Sequence, residues 1–353
     1  MKKIAYVELD THAEIAANFM ELMDDSQEFE VDYFFSERIH KQIDKSNSSI
    51  SLSSFATIDR QLQLRPYDLL IIGTVHRNFA VFNKICCRTN AVIIVHNLNF
   101  LKLSKWQLLQ SVFKKDFQYR LKLLLKEGLL LAPRVFRNAH HLAVLDPYLA
   151  NRQFVFLPVF FNHSNESDTT EHFTIVIPGT VSQQRRDYFS VIQRLKKADN
   201  DLKSGHSTME NRNFQIVFLG KAKGEELVWL KDLRSELKFF DIVFFEEKVP
   251  QNQYEEWMKE AHVLWCPVQL RTEFFNHSES YGSTKMSGNI GDAIRYGKMA
   301  FFPQGISTGY PFVINDQDDD VFYFKNESRY DFQQEFNKEN VRKKLENVLK
   351  SLL

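Results

Sequence analysis

The chain has 353 residues, with 45 Lys+Arg against 45 Asp+Glu, and its apolar fraction of 44% includes 32 Phe. That length exceeds one ordinary core and predicts two domains, while the balanced charge gives no global pull toward nucleic acid and leaves any electrostatic partner to local patches. Three cysteines, two of them adjacent at 86 and 87, make no disulfide framework and fit a reducing cytoplasm. No His/Cys spacing matches a zinc site, and no apolar run approaches the length of a membrane span.

The opening MKKIAYVELD meets Glu8 and Asp10 too soon for a secretory signal, so Lys3–Leu9 reads as a strand. His12–Met23 carries apolar residues at 15, 16, 19, 20, 22 and 23, a helical spacing. Val31–Phe35 is a second strand, and Ser46–Ser54 a mobile Ser-rich loop. Asp68–Gly73 (DLLIIG) and Ala91–His96 (AVIIVH) are continuous apolar runs of the kind buried parallel strands show, with a helix at Phe79–Cys87 between them. Leu101–Asn138 differs. Lys and Arg at 102, 105, 114, 115, 120, 122, 126, 134 and 137 face only Asp116 and Glu127, and Trp106, Tyr119, Leu and Phe are interleaved. This basic amphipathic pattern makes 102–137 a candidate surface for an anionic membrane, with peripheral attachment at its cytoplasmic face. No nucleic-acid motif accompanies it.

His141–Leu145 predicts a further strand, Phe154–Phe161 an apolar run, and Asn162–Glu171 a linker. A second alternation follows: strands at Phe173–Ile177, Phe214–Leu219, Ile242–Phe245, Val263–Cys266 and Val321–Lys325, and helices at Arg186–Lys197, Glu225–Leu237, Gln253–Ala261 and Asp331–Leu353. Asn200–Asn213 reads as a polar insertion. Strands alternating with helices in both halves predict two parallel, Rossmann-like sheets, with ligands at the carboxyl ends of the strands.

Two stretches carry phosphate chemistry. In Ile175–Tyr188 (IVIPGTVSQQRRDY) a strand ends at Pro-Gly, and Arg185 and Arg186 open a helix; Gly179 permits close backbone approach and an arginine pairs phosphate bidentately. In Glu279–Pro303 (ESYGSTKMSGNIGDAIRYGKMAFFP) a polar glycine loop holding Gly282, Lys285 and Gly288 runs into a helix, whose free N–H groups favour an anion. Glu279 and Asp292 flank that loop and can accept from hydroxyls. The Gly-Lys-Ser/Thr order of a Walker loop is missing.

The order of these two motifs resembles the nucleotide-sugar domain of GT-B glycosyltransferases, most like the retaining family 4 group. HVLWCPV resembles the strand before that family's paired-Glu motif, Glu279 with Tyr281-Gly282 its first half, and DAIRYGKMAFFP its second half, with Asp292 in place of the second Glu. The spacing from Glu279 to Asp292 is longer than the family's, and the first βα turn, ELDTHAE, lacks the family's glycine pair. Motifs cover roughly 174–303; the N-terminal half is similar in architecture, with IIVHN at 93–97 resembling an acceptor-domain strand ending. The resemblance implies an α/β chain of GT-B type, two Rossmann-like domains facing a cleft: an acceptor domain at 1–165, a nucleotide-sugar domain at 172–330, and a final helix at 331–353 packing back on the first domain. It implies a metal-independent transfer, with retention, from a nucleotide sugar to a glycan or lipid-linked acceptor, with no further cofactor. Gly179, Arg185 and Arg186 would contact the donor diphosphate, Glu279 the transferred sugar, Tyr281 and Gly282 would offer backbone amides, Asp292 would accept from ribose, and Val249 would lie beside the base. Chemistry rather than the family pattern suggests Lys285 as a further cation for the diphosphate. His12 and His96, each after a strand, are the candidate general bases. A nucleotide-sugar epimerase of the same fold, or a catalytically silent relative, remains an alternative.

Other signals read as structural. Asp316–Asp320 (DQDDD) contains the Asp-x-Asp of metal-dependent GT-A enzymes but lies near the C-terminus, as solvated turn residues do. His140-His141 lacks partners at metal spacing, and Trp229 and Trp257 sit on predicted helices as core residues.

Overall fold

The computed structural model describes residues 1–44, 48–114, 116–163, 172–204, 213–306, 309–316, 321–323 and 330–353. In chain order the strands are β1 (Lys2–Glu8), β2 (Phe29–Phe35), β3 (Ile50–Leu52), β4 (Leu69–Ile72), β5 (Ala91–Ile94), β6 (His141–Val144), β7 (Phe154–Phe156), β8 (Phe173–Pro178), β9 (Phe214–Lys221), β10 (Phe240–Phe245), β11 (Val263–Trp265), β12 (Arg271–Phe274), β13 (His277–Ser280), β14 (Met299–Phe302) and β15 (Val313–Asn315). The helices are α1 (Ala13–Met23), α2 (Glu37–Ile43), α3 (Ile58–Gln61), α4 (Phe79–Cys86), α5 (Leu98–Leu101), α6 (Lys105–Val112), α7 (Phe117–Lys126), α8 (Ala132–Asn138), α9 (Tyr188–Lys203), α10 (Gly224–Glu236), α11 (Gln251–Glu260), α12 (Gly288–Tyr296), α13 (Phe332–Phe336) and α14 (Lys338–Ser351).

The chain divides into two units. The first comprises Met1–Phe161, Glu273–Met286 and Glu335–Leu353; the second comprises Asn162–Thr272 and Ser287–Gln334. The first unit holds a seven-stranded sheet in the order β3-β2-β1-β4-β5-β6-β7, the second a six-stranded sheet in the order β10-β9-β8-β11-β14-β15. All neighbours in both sheets pair in parallel. Both share the outward-then-reversed order of doubly wound folds, which places ligand sites where the order reverses, beside the first strand of each sheet.

The local causes are visible in the strands. LLII of β4 and AVII of β5 are buried at every position, because helices cover both faces of a parallel sheet. Alternate residues of β1 serve opposite cores: Ala5 and Val7 face one cluster with Phe79 and Leu123, Ile4 and Tyr6 the other with Phe19 and Leu345. The second unit has its own core around Ile175, Ile216, Trp265 and Phe301.

Several boundaries differ from the sequence reading. The predicted helix at 331–353 is two helices, because Asn337 interrupts it and caps α14 by accepting from the N–H groups of Glu339 and Asn340. Val341, Leu345 and Leu349 then form a helical stripe buried against α1 within the first unit. The predicted last strand at 321–325 begins as a 3-10 turn at Val321–Tyr323, with 324 and 325 outside the described residues; the sheet instead closes on β15. The Ser-rich loop contains strand β3, residues 46 and 47 lying outside the description. Most of the predicted linker (164–171) and of the polar insertion (205–212) also lie outside it.

The largest departure is at 273–286. The chain leaves the second unit after Thr272, contributes this segment to the first, and returns at Ser287. β12 and β13 form a hairpin whose turn, Phe275 and Asn276, has positive φ. Phe274 and Phe275 pack on Phe100 at 4.9 and 5.1 Å between ring centres, and Arg120 donates to Asn276. Aromatic burial thus fixes the hairpin in a core built by residues far away in sequence.

Candidate functional site

The second unit carries a phosphate-sized constellation at the ends of β8 and β9. Gly179 follows β8 with φ 100°, and its carbonyl lies against Gly220 so closely that a Cβ at 220 would stand 2.2 Å from it. A Cβ at Gly179 would meet the Arg186 guanidinium at 2.3 Å. Both positions therefore demand glycine, 220 for backbone approach and 179 for its positive φ. Arg186 is held by a backbone bridge to Val268, and its Nη1 and Nη2 reach Thr180 O and Asn289 Oδ1, both at 3.4 Å. Its buried Nε has no hydrogen-bond partner. Bonds at the long end of the range leave a guanidinium whose donor capacity is only partly used.

Asn289 stands in the first turn of α12. No side chain caps that turn, it contains no acidic residue, and the space beside Gly288 is open to 4 Å. Ile290 N–H is already bonded to Ser287 O, but the uncapped start of the helix and the positive end of its dipole lie beside an arginine. Asn289 Nδ2 donates to Asp292 Oδ2 at 3.1 Å, which links the carboxylate to the same array. Arg185 is exposed one residue before Arg186, and Val249 is half-buried in the loop after β10.

The first unit carries a histidine cluster at the ends of β1, β4 and β5. Glu8, fully buried, organises it. Its Oε1 accepts from the N–H groups of Asp10 and Thr11, at 2.8 and 3.2 Å, and its Oε2 from the Thr74 hydroxyl at 2.7 Å. Burial pushes this carboxyl above its ordinary range, and the three donors and His12 oppose the shift. Gly73 makes room for it, since a Cβ there would stand 2.5 Å from Glu8 Oε2. The turn that Glu8 holds delivers His12 to the start of α1.

The His12 ring stacks on His96 at 3.9 Å and meets His76 edge-on at 6.2 Å. His12 Nδ1 lies 3.0 Å from the Glu14 carboxylate, which can only accept, so Nδ1 carries a proton. His96 donates from Nε2 to Gly73 O at 2.8 Å, which leaves its Nδ1 as acceptor. Burial holds His96 well below the usual imidazole range, with His12 and His76 adding to the shift, and pushes His76 down to about 3 with help from His12 and Lys285. His76 and His96 also line a small cavity of about 10 Å³ with Val75, Asn97 and Phe100, room for about one water. His76 and His96 can therefore stand as neutral imidazoles at neutral pH.

The predicted loop motif is split between the units. Glu279, Tyr281, Gly282 and Lys285 belong to the first, Asp292 to the second. Glu279 is fully buried, and its two oxygens accept from the N–H groups of Phe100 and Asn99 at 3.0 and 3.2 Å. Burial raises its pKa, against the Thr284 hydroxyl and those N–H groups. A carboxylate so engaged caps α5. Leu98 N–H donating to Thr284 O completes the clasp. Lys285 Nζ lies 5.7 Å from the centre of the Tyr281 ring, and its charge acts on His76 and His96. Sequence reading missed His76, Asn289 and Glu8. A buried strand-end Glu followed by Asp-Thr-His was the available signal for Glu8; His76 and Asn289 had none, because their neighbours come from other strands. Asp316 pairs with Arg194 and accepts from Trp265 Nε1, a structural role; 317–320 lie outside the described residues. Among the described residues no group of three His, Cys, Asp or Glu is arranged to hold a metal ion.

Two parallel α/β units of this order define the GT-B fold. No family model and no curated protein matches the sequence. Among solved structures, the chain is similar to HepE from Anabaena in complex with UDP, at 10% identity and TM-score 0.57 over 99% of this chain and 100% of that one. It is similar to S. aureus MnaA with UDP, at 9% identity and TM-score 0.54 over 100% and 98%. It is also similar to the UDP-GlcNAc 2-epimerase of Methanocaldococcus jannaschii, at 9% identity and TM-score 0.52 over 99% of each chain. At such identities the likeness establishes the fold alone.

Proposed function

We propose that this chain is a nucleotide-sugar enzyme and that its reaction is glycosyl transfer to a glycan or lipid-linked acceptor. The observation that carries the reading is the Arg186 guanidinium, with its unpartnered Nε, beside the uncapped first turn of α12 and the Gly179 turn. This array suits a diphosphate: the arginine pairs phosphate oxygens, the helix start adds N–H donors, and Gly179 lets the backbone come close. Asp292, tied to Asn289, is the proposed ribose acceptor, and Val249 the proposed neighbour of the base. Two of the similar structures, HepE and MnaA, hold UDP, which supports a uridine nucleotide as the first ligand to try.

Breaking the anomeric C–O bond leaves negative charge on the departing diphosphate and positive character on the sugar. Arg186 and the N–H groups of α12 would stabilise that charge as it develops, so the proposal routes no step through a metal. Retention is proposed, with the departing phosphate accepting the acceptor's proton.

The epimerase reading has its own support: His96, whose Nε2 donates to Gly73 O, keeps an Nδ1 that can take and return a proton, and one similar structure is a UDP-GlcNAc 2-epimerase. Incubation with a panel of UDP- and GDP-sugars separates the two. Nucleoside diphosphate released only with acceptor supports transfer; an altered sugar on an intact nucleotide supports epimerisation. Arg186→Ala should weaken UDP binding about 10- to 100-fold, as loss of a charge-assisted pair does, and leave uridine binding unchanged. Equal loss for both ligands, or no binding of any nucleoside diphosphate, would sink the assignment.

A further inference from the structure

Helices α6 and α7 bury one face and leave the other without cover. Leu108, Val112 and Leu123 enter the first unit's core. On the outer side, Trp106 and Phe113 are each 68% exposed, Leu125 is 73% exposed, and Phe117 is 46% exposed. Trp106 and Phe113 are two turns apart, so they share one face of α6 and its continuation; Phe113 and Phe117 rings lie 5.8 Å apart. Scattered single apolar residues on a surface need no explanation, but a cluster of large ones does.

The charge around them has one sign. Lys102, Lys105, Lys114, Lys122 and Lys126 are exposed. Asp116 is the exposed acid among the described residues of 102–126, and Glu127 is buried and paired with Arg77. Arg120, counted with this patch in the sequence, does not belong to it: it is buried and donates to Ser111 O and Asn276 Oδ1. Lys115 lies outside the described residues. Ser104 and Gln107 form a capping box that starts α6, so the helix presenting Trp106 is ordered without any partner.

We infer that the outer face of α6 and α7 docks on an anionic lipid bilayer, its aromatics entering the interface and its lysines meeting lipid phosphates. Charge decides this occupant against a second copy of the chain. A two-fold contact would set the same lysines against one another, whereas an anionic leaflet attracts each of them. Trp and Phe between lysines suit the boundary between headgroup and acyl chain. Among the described residues no helix is long and apolar enough to cross a membrane, so the contact is interfacial. The inference does not rest on the nucleotide reading.

The test is co-sedimentation of the full chain with vesicles of equimolar phosphatidylglycerol and phosphatidylcholine, against vesicles of phosphatidylcholine alone. Binding is expected to the first and not the second, and to weaken with salt. Lys105→Gln, Lys114→Gln and Lys126→Gln together should weaken it about 100-fold, at about fivefold per lysine. Trp106→Ala with Phe113→Ala should weaken it at least tenfold while the salt dependence persists. UDP binding and the melting temperature serve as controls on folding, since none of these side chains enters the core. Equal binding to both vesicle types, no binding to either, or variants that bind as wild type would overturn the proposal. So would a dimer in solution that Trp106→Ala dissolves.

Discussion

Two glycines and one glutamate show how single residues set the sites. Gly73 leaves room for the Glu8 carboxyl, and Gly179 takes a positive φ that sets the turn beside the Arg186 guanidinium. Glu8 then holds the turn that presents His12. The neutral His76 gives a pH signature. In the unfolded chain an imidazole takes a proton below about 6.5, whereas folded His76 does so only near 3. Between those values the unfolded state binds the extra proton, so stability is lost as pH falls, by at most about 1.4 kcal/mol per pH unit for one proton. Chemical denaturation of His76→Phe should show a shallower loss of stability between pH 6.5 and 3 than wild type. Phe preserves a ring against Phe274, 4.8 Å away. Parallel stability curves over that window would rule His76 out as the source.

At the scale of elements, the β12–β13 hairpin is the device that no strand-and-helix pattern announced. Its strands are short and half-exposed, yet Phe274 and Phe275 anchor it, and Glu279 and Thr284 fasten its far side to α5. Phe275→Ala should cost about 3–5 kcal/mol, as loss of a buried Phe does, read as a lower denaturation midpoint. Limited proteolysis should then cut within 273–286 sooner than in wild type. A variant cut at the wild-type rate, with an unchanged midpoint, would show that the aromatics do not hold the segment. The apolar runs of β4 and β5 and the stripe of α14 were legible because burial on both sheet faces, or along one helix face, forces a composition. The hairpin was not, since its partners Phe100, Ser111 and Arg120 lie more than a hundred residues away.

The described residues form two cores, one pair of clusters in the first unit and one cluster in the second. Trp229, Trp257 and Trp265 belong to the second unit and Trp106 to the first, so tryptophan emission reports chiefly on the second. With UDP at about 100 times its Kd, the transition seen by tryptophan should gain about 2.7 kcal/mol, the linkage expected for a ligand bound to the native state alone. A gain confined to the transition of the first unit would contradict the placement of the diphosphate at Arg186. By itself the sequence determined the two alternations of strand and helix, the Gly179–Arg186 turn and the glycine-rich start of α12, since each depends on neighbours within a few residues. Only the tertiary structure decided that Glu279 is a buried cap and that Asn289 meets Arg186. Those pairings join residues separated by scores of positions, and burial and hydrogen-bond geometry, which no local spacing encodes, select them.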